Sequence, residues 1–171
     1  MNKKTLIIFS ALVLILVLVG VYALTRTQAP TDEEIHIHAA FQLYLNDQLI
    51  DFSDFKYMHI KNCTLDGSAT EEDPQIEKAH LHDNIGDVVH VHREQATWGD
   101  LFFNIKYTLP KEITAYVNEV KVADILNMEI EPYDQILIYS GTISDLETKL
   151  KSLPSIDYVK EIETRSESCG T

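Results

Sequence analysis

The histidines constrain what this chain can fold into more than any other feature. Six of the seven fall in His-x-His pairs, His36/His38, His80/His82 and His90/His92, and none follows His92. In a β-strand, residues i and i+2 project from the same face. Each pair is therefore a two-pronged fork of imidazoles wherever its flanks are extended. The flanks suit that: Ile35 and Ile37 alternate with the first pair, Val89 and Val91 with the third. Scattered core histidines do not cluster in this way.

The second and third forks are separated by residues 83–87, D-N-I-G-D. If their strands pair antiparallel across that connection, His82 faces Val88 and His80 faces His90, and all four rings share a face. A shift of one residue sends the two forks to opposite faces. The sequence leaves both registers open.

Neutral imidazole is the commonest side-chain metal ligand near neutral pH and suits Zn, Cu, Ni and Fe, whereas Ca and Mg take oxygen shells. The candidate ligands are His80, His82, His90, His92, His36 and His38. Four nitrogens make a closed site, and three leave an open position of catalytic type. A mixed site using Asp83 or Glu94 is equally compatible. The bland alternative is a half-exposed strand on which histidine is a tolerated polar residue. A pH sensor is another, since clustered imidazoles change charge between about pH 5 and 8. His59 reads as structural, although Met58 beside it offers a soft copper ligand.

Residues 5–24 carry no charge, and 20 residues at about 1.5 Å rise each span the roughly 30 Å core of a bilayer. Lys3 and Lys4 precede this segment and Asp32, Glu33 and Glu34 follow it. The expectation is a signal-anchor helix with the N-terminus (1–4) cytoplasmic and the rest extracytoplasmic. A cleaved signal peptide ending near Val21-Tyr22-Ala23 is the rival, against which the length of the apolar run argues. Both place the remainder outside the cell membrane.

All 27 acidic residues lie from residue 31 onward, with all but three (Lys3, Lys4, Arg26) of the 14 basic ones. A chain this acidic lacks the basic stripe of a nucleic-acid binder. Cys63 and Cys169 are the only cysteines. The compartment permits a disulfide, and a free or intermolecular Cys63 is equally open. There is no C-x-x-C for thiol–disulfide exchange. Gly-rich phosphate loops, G-x-S-x-G elbows and H-E-x-x-H helices are also missing, so no catalytic or cofactor-binding residues are assigned.

After a polar tether (25–34), residues 35–52 read as a strand–turn–strand unit broken at Asn46-Asp47. Residues 55–60 read as a strand and 64–77 as an acidic surface loop. Thr97 with Asp100 three residues on is a capping box, and Trp98, Leu101, Phe102 and Ile105 have the spacing of a short helix facing a core. Pro110 ends it. Residues 113–122 form a second hairpin that echoes the first (Tyr116-Val117-Asn118-Glu119 against Tyr44-Leu45-Asn46-Asp47), and 136–140 a buried strand. A helix from Ser144, closed by Pro154, and a disordered tail (166–171) complete the chain. The fold class is α+β: a small, mainly-β extracytoplasmic domain (35–143) with β-hairpins, one or two short helices and a β-grasp-like second half, then the C-terminal helix and tail (144–171).

His36-Ile37-His38, Tyr44-Leu45-Asn46, His80-Leu81-His82-Asp83, Val89-His90-Val91 and Trp98-Gly99-Asp100-Leu101-Phe102-Phe103 together resemble an uncharacterised group of membrane-anchored, His-rich extracytoplasmic proteins of bacteria and archaea. The resemblance covers roughly residues 36–141. Members often carry an acid where this chain has His92, which makes the third fork partly this sequence's own. The resemblance implies architecture and location, and no activity. Some relatives are labelled thiol oxidoreductases, which the missing C-x-x-C does not support.

The functional expectation is transition-metal binding, Cu or Zn, through the paired strands, for capture or delivery at the membrane. An envelope structural or protein-interaction module without metal is one alternative. A metalloenzyme with an open His-based site, its general base Asp83 or Glu94, is the other.

Overall fold

The computed structural model describes residues 35–60 and 73–165. The segment expected to be an anchor (5–24), the expected tether, both cysteines, residues 64–72 and the C-terminal residues 166–171 lie outside the described residues. Among the described residues, no helix is long and apolar enough to cross a membrane.

The domain is α+β, built on a mixed six-stranded sheet. The strands are β1 (Ile37–Leu45), β2 (Gln48–Leu49), β3 (Val88–Val91), β4 (Thr114–Val117), β5 (Val120–Val122) and β6 (Gln135–Ser140). They run in the order β2-β1-β6-β4-β5, with β3 also on β1. β1 is the axis. One edge pairs parallel with β6, from Ala40↔Gln135 to Leu45↔Ser140. The other edge is shared: β2 takes the C-terminal end and β3 the N-terminal end, both antiparallel.

The two hairpins that echo each other in sequence turn in the same way. Asn46 and Asp47 have φ of 47° and 71°, Asn118 and Glu119 of 50° and 68°. Two central residues at positive φ suit a two-residue hairpin, because that turn follows the right-handed twist of the strands. The later-half pattern of hairpin, short helical turn and last strand is present as β4–β5, the 3-10 turn Ile125–Asn127 and β6. It closes on β1 of the first half.

Period-two alternation gives β1 two different faces. Ala39, Phe41 and Leu43 enter the main core with Val89, Val91, Ile136 and Ile138. Against them packs α2 (Trp98–Asn104), which buries Trp98, Leu101 and Phe102. The capping box is complete: Asp100 N–H donates to Thr97 Oγ1 at 3.2 Å and Thr97 N–H to Asp100 Oδ2 at 2.9 Å. The aromatic run from Trp98 is thus core.

The described residues hold four α-helices, two of them within 35–143, and they differ from the expectation in place and in the C-terminal count. α1 (Pro74–Lys78) lies in the stretch read as loop. Asp73 caps it by accepting from Gln75 N–H at 2.9 Å, and Pro74 has its φ preset for the first turn. An acidic, weakly periodic segment hides so short a helix. After Ser144 come two helices where one was expected, α3 (Leu146–Lys151) and α4 (Ile156–Glu163), the latter capped by Ser155. α4 buries Val159 and Ile162 with Ala40, Ile85 and Val88, covering part of the second face of the sheet. The expected strand at 55–60 begins instead as a 3-10 turn, Phe55–Tyr57.

Candidate metal centre

The face of β1 opposite the main core carries the histidines. β3 pairs with β1 so that His38 lies across from His90 and Ile37 from Val91. On β3's far side, His80 and His90 exchange backbone hydrogen bonds, 2.9 Å in each direction. That is the register in which the forks at 80/82 and 90/92 share a face. With β1 in the same alternation, three forks converge on one surface.

Local structure explains why the register holds. Asp83 and Asn84 have φ of 55° and 57°, and Ile85 N–H donates to His82 C=O at 3.0 Å, a tight turn that Asp and Asn tolerate. Gly86 then passes so close to residues 52–53 that a Cβ would lie 2.3 Å from Ser53 N. Only glycine fits there. Upstream, Asn104 of α2 donates to Gln75 C=O (2.7 Å) and Ala79 C=O (2.8 Å), and Lys78 pairs with Asp100 at 3.3 Å. These bonds tie α1, and with it the entry to His80, onto α2.

The rings form one continuous group. Ring centres lie 3.5 Å apart for His82–His90, 3.9 Å for His38–His90, 4.6 Å for His36–His38, 4.9 Å for His36–His92 and 5.4 Å for His80–His92. His38 and His90 are 1 % exposed, His80 2 %, His92 6 % and His82 9 %, while His36 is open to solvent.

His36, His90 and His92 each offer a ring nitrogen, all three atoms within 4.8 Å of one another, close enough to hold a metal ion. A zinc–nitrogen bond of about 2.0–2.1 Å sets ligand nitrogens about 3.4 Å apart in a tetrahedral site, a small rotamer adjustment from there.

Two other rings are oriented from behind. His82 Nδ1 is 2.9 Å from Asp83 Oδ2, and His80 Nδ1 is 3.1 Å from Ile76 C=O. Each acceptor holds its ring through Nδ1. Asp83, a candidate ligand or base in sequence terms, is thus engaged with His82. Glu94 is exposed.

Sequence reasoning set His59 aside as structural. His59 N–H donates to Leu81 C=O at 2.6 Å, and its ring centre is 5.1 Å from that of His80. Glu77, taken for loop, is buried; its carbonyl accepts from His92 N–H at 2.9 Å, and its Oε1 has no hydrogen-bond partner among the described residues. No signal in the sequence marked Glu77, and His59 was marked only through Met58, because both positions depend on long-range packing.

Compared with family models, curated proteins and solved structures, the chain finds no match.

Proposed function

We propose that the histidine face binds a transition-metal ion, zinc or copper, and that the protein captures or hands over that ion at a membrane surface. The observation that carries this reading is the group His36, His90 and His92, with ring nitrogens converging within 4.8 Å. Imidazole nitrogens select Zn and Cu over Mg and Ca. Two of these ligands are buried and the third, His36, is exposed. Such a site is entered from solvent, which suits capture and release better than a sealed structural ion does.

The membrane part of the reading rests on the uncharged run 5–24 and the lysines before it. The resemblance to anchored, His-rich extracytoplasmic proteins agrees with it. We read the domain as extracytoplasmic, held by an N-terminal anchor.

The test is titration of the full-length chain, purified without a histidine tag, with Zn and with Cu, bound metal being measured by elemental analysis. Stoichiometric uptake by the wild type, reduced in a His36→Ala/His92→Ala variant, is expected. Equal and negligible uptake by both chains would leave the envelope-interaction alternative standing in its place.

A further inference from the structure

An open groove of about 490 Å³ runs between α2, residues 107–113 and the 3-10 turn Ile125–Asn127, and none of its lining residues is a histidine. Its volume falls in the range of small-ligand sites, about 300–1,000 Å³. The lining is mainly apolar, with Phe102, Tyr107, Leu109, Pro110, Ile113 and Ile125. The chain itself fixes the walls. Trp98 N–H donates to Met128 C=O at 3.2 Å and Tyr107 N–H to Phe102 C=O at 3.0 Å. Gly99 passes so close to the turn that a Cβ would lie 2.6 Å from the carbonyl oxygen of Leu126. Four residues after Gly99, on the same face of α2, stands Phe103, which is 70 % exposed.

Charge here runs against the rest of the chain. Residues 101–111 hold no acid and two lysines, Lys106 and Lys111, both exposed, although acids outnumber bases more than two to one from residue 31 onward. Lys111 lines the groove. Asp124, the one acid among the lining residues, accepts from Asn127 Nδ2 at 2.9 Å. An apolar slot bordered by an exposed ring and a lysine fits an acyl chain with an anionic head. We infer that this groove seats on the bilayer and takes an acyl chain of an anionic phospholipid, with Phe103 entering the interface and Lys111 meeting the head group. This rests on the membrane part of the reading above. On that reading residues 25–34, which reach at most about 35 Å when extended, keep the domain close to the lipid.

The experiment reconstitutes the full-length chain in vesicles of phosphatidylcholine and phosphatidylglycerol, doped with a phospholipid that carries a diazirine in its acyl chain. After photolysis, peptide mass spectrometry maps the labelled residues. Label is expected in 5–24 and in 102–113. The variant Lys111→Glu, altered at an exposed position, is expected to lose label from 102–113 several-fold and to keep it in 5–24. Leaving out phosphatidylglycerol is expected to do the same. Label confined to 5–24 would overturn the groove and leave the anchor. Label in 102–113 that ignores both Lys111→Glu and phosphatidylglycerol would overturn the anionic lipid as occupant. Equal label on α4, whose Ile156 is also exposed, would mark random collision and overturn the groove as well. Label in 102–113 without label in 5–24 would support the groove and overturn the anchor, and no label in either would overturn both.

Discussion

The two faces of β1 and β3 are made by alternate residues of the same strands, yet they answer to different physics. On one, Ala39, Phe41, Leu43, Val89 and Val91 pack with Trp98, Leu101 and Phe102. On the other, His38 and His90 sit beside His36, His80, His82 and His92, with Ala40 and Val88 as the apolar boundary toward α4. The first face gains from every methylene it removes from water, about 25 cal/mol per Å². The second removes polar rings from water and crowds them, a burial that stabilises only as far as partners compensate it. One face accounts for stability. On the proposed function, the other concedes stability to a metal ligand.

That contrast is open to test. Phe41→Ala is expected to have the largest effect, a loss of about 3–5 kcal/mol by chemical denaturation, the same with and without zinc. If zinc altered the size of the loss, the faces would not be independent. Next comes His36→Ala/His92→Ala, expected to change the metal-free protein little. It should abolish the stabilisation that zinc gives the wild type through this trio, about 2.7 kcal/mol at a hundredfold excess over Kd. Melting curves with and without the ion read this directly. An equal zinc-dependent rise in the variant would remove the trio from the site.

A smaller effect sharpens the comparison from the apolar side. Thr97→Ala breaks the cap of α2 and is expected to cost about 1 kcal/mol. The loss should not depend on metal, because the cap supports the main core; a concurrent change in zinc affinity would show that α2 transmits to the forks through Asn104.

The smallest effect lies away from both faces. Hydrogen bonds from Ser144, together with Lys149, hold the Asp47 carboxyl down at about 2, below the usual 3.8. A depressed folded value means that this staple between the first hairpin and α3 contributes above about pH 4 and is lost as pH falls toward 2. Asp47→Asn should therefore narrow its difference from wild type across that window. A difference that stays constant from pH 5 to 2 would show that the charge does not matter.

Much of this was legible because strands have a period of two. His36 with His38, His80 with His82 and His90 with His92 had to share faces as soon as their flanks were extended. The isoleucines and valines between them had to take the opposite side. Asn46-Asp47 and Asn118-Glu119 announced hairpins by residues that accept, or are forced into, positive φ. Thr97 and Asp100 announced a helix by matched donors and acceptors. These are local rules, and the local sequence carried them.

What tied the forks to one another was not local. Register between strands depends on Gly86 passing against residues 52–53, on the tight turn at Asp83-Asn84 and on Asn104 holding Ala79. The helices at 74–78 and 156–163 each depend for their packing on partners far along the chain, as does the place of His59 beside His80. The sequence by itself determined that histidines would come in forks. Only the tertiary structure decided that the forks would meet, because strand periodicity sets the face of a residue and long-range packing alone sets which face it meets.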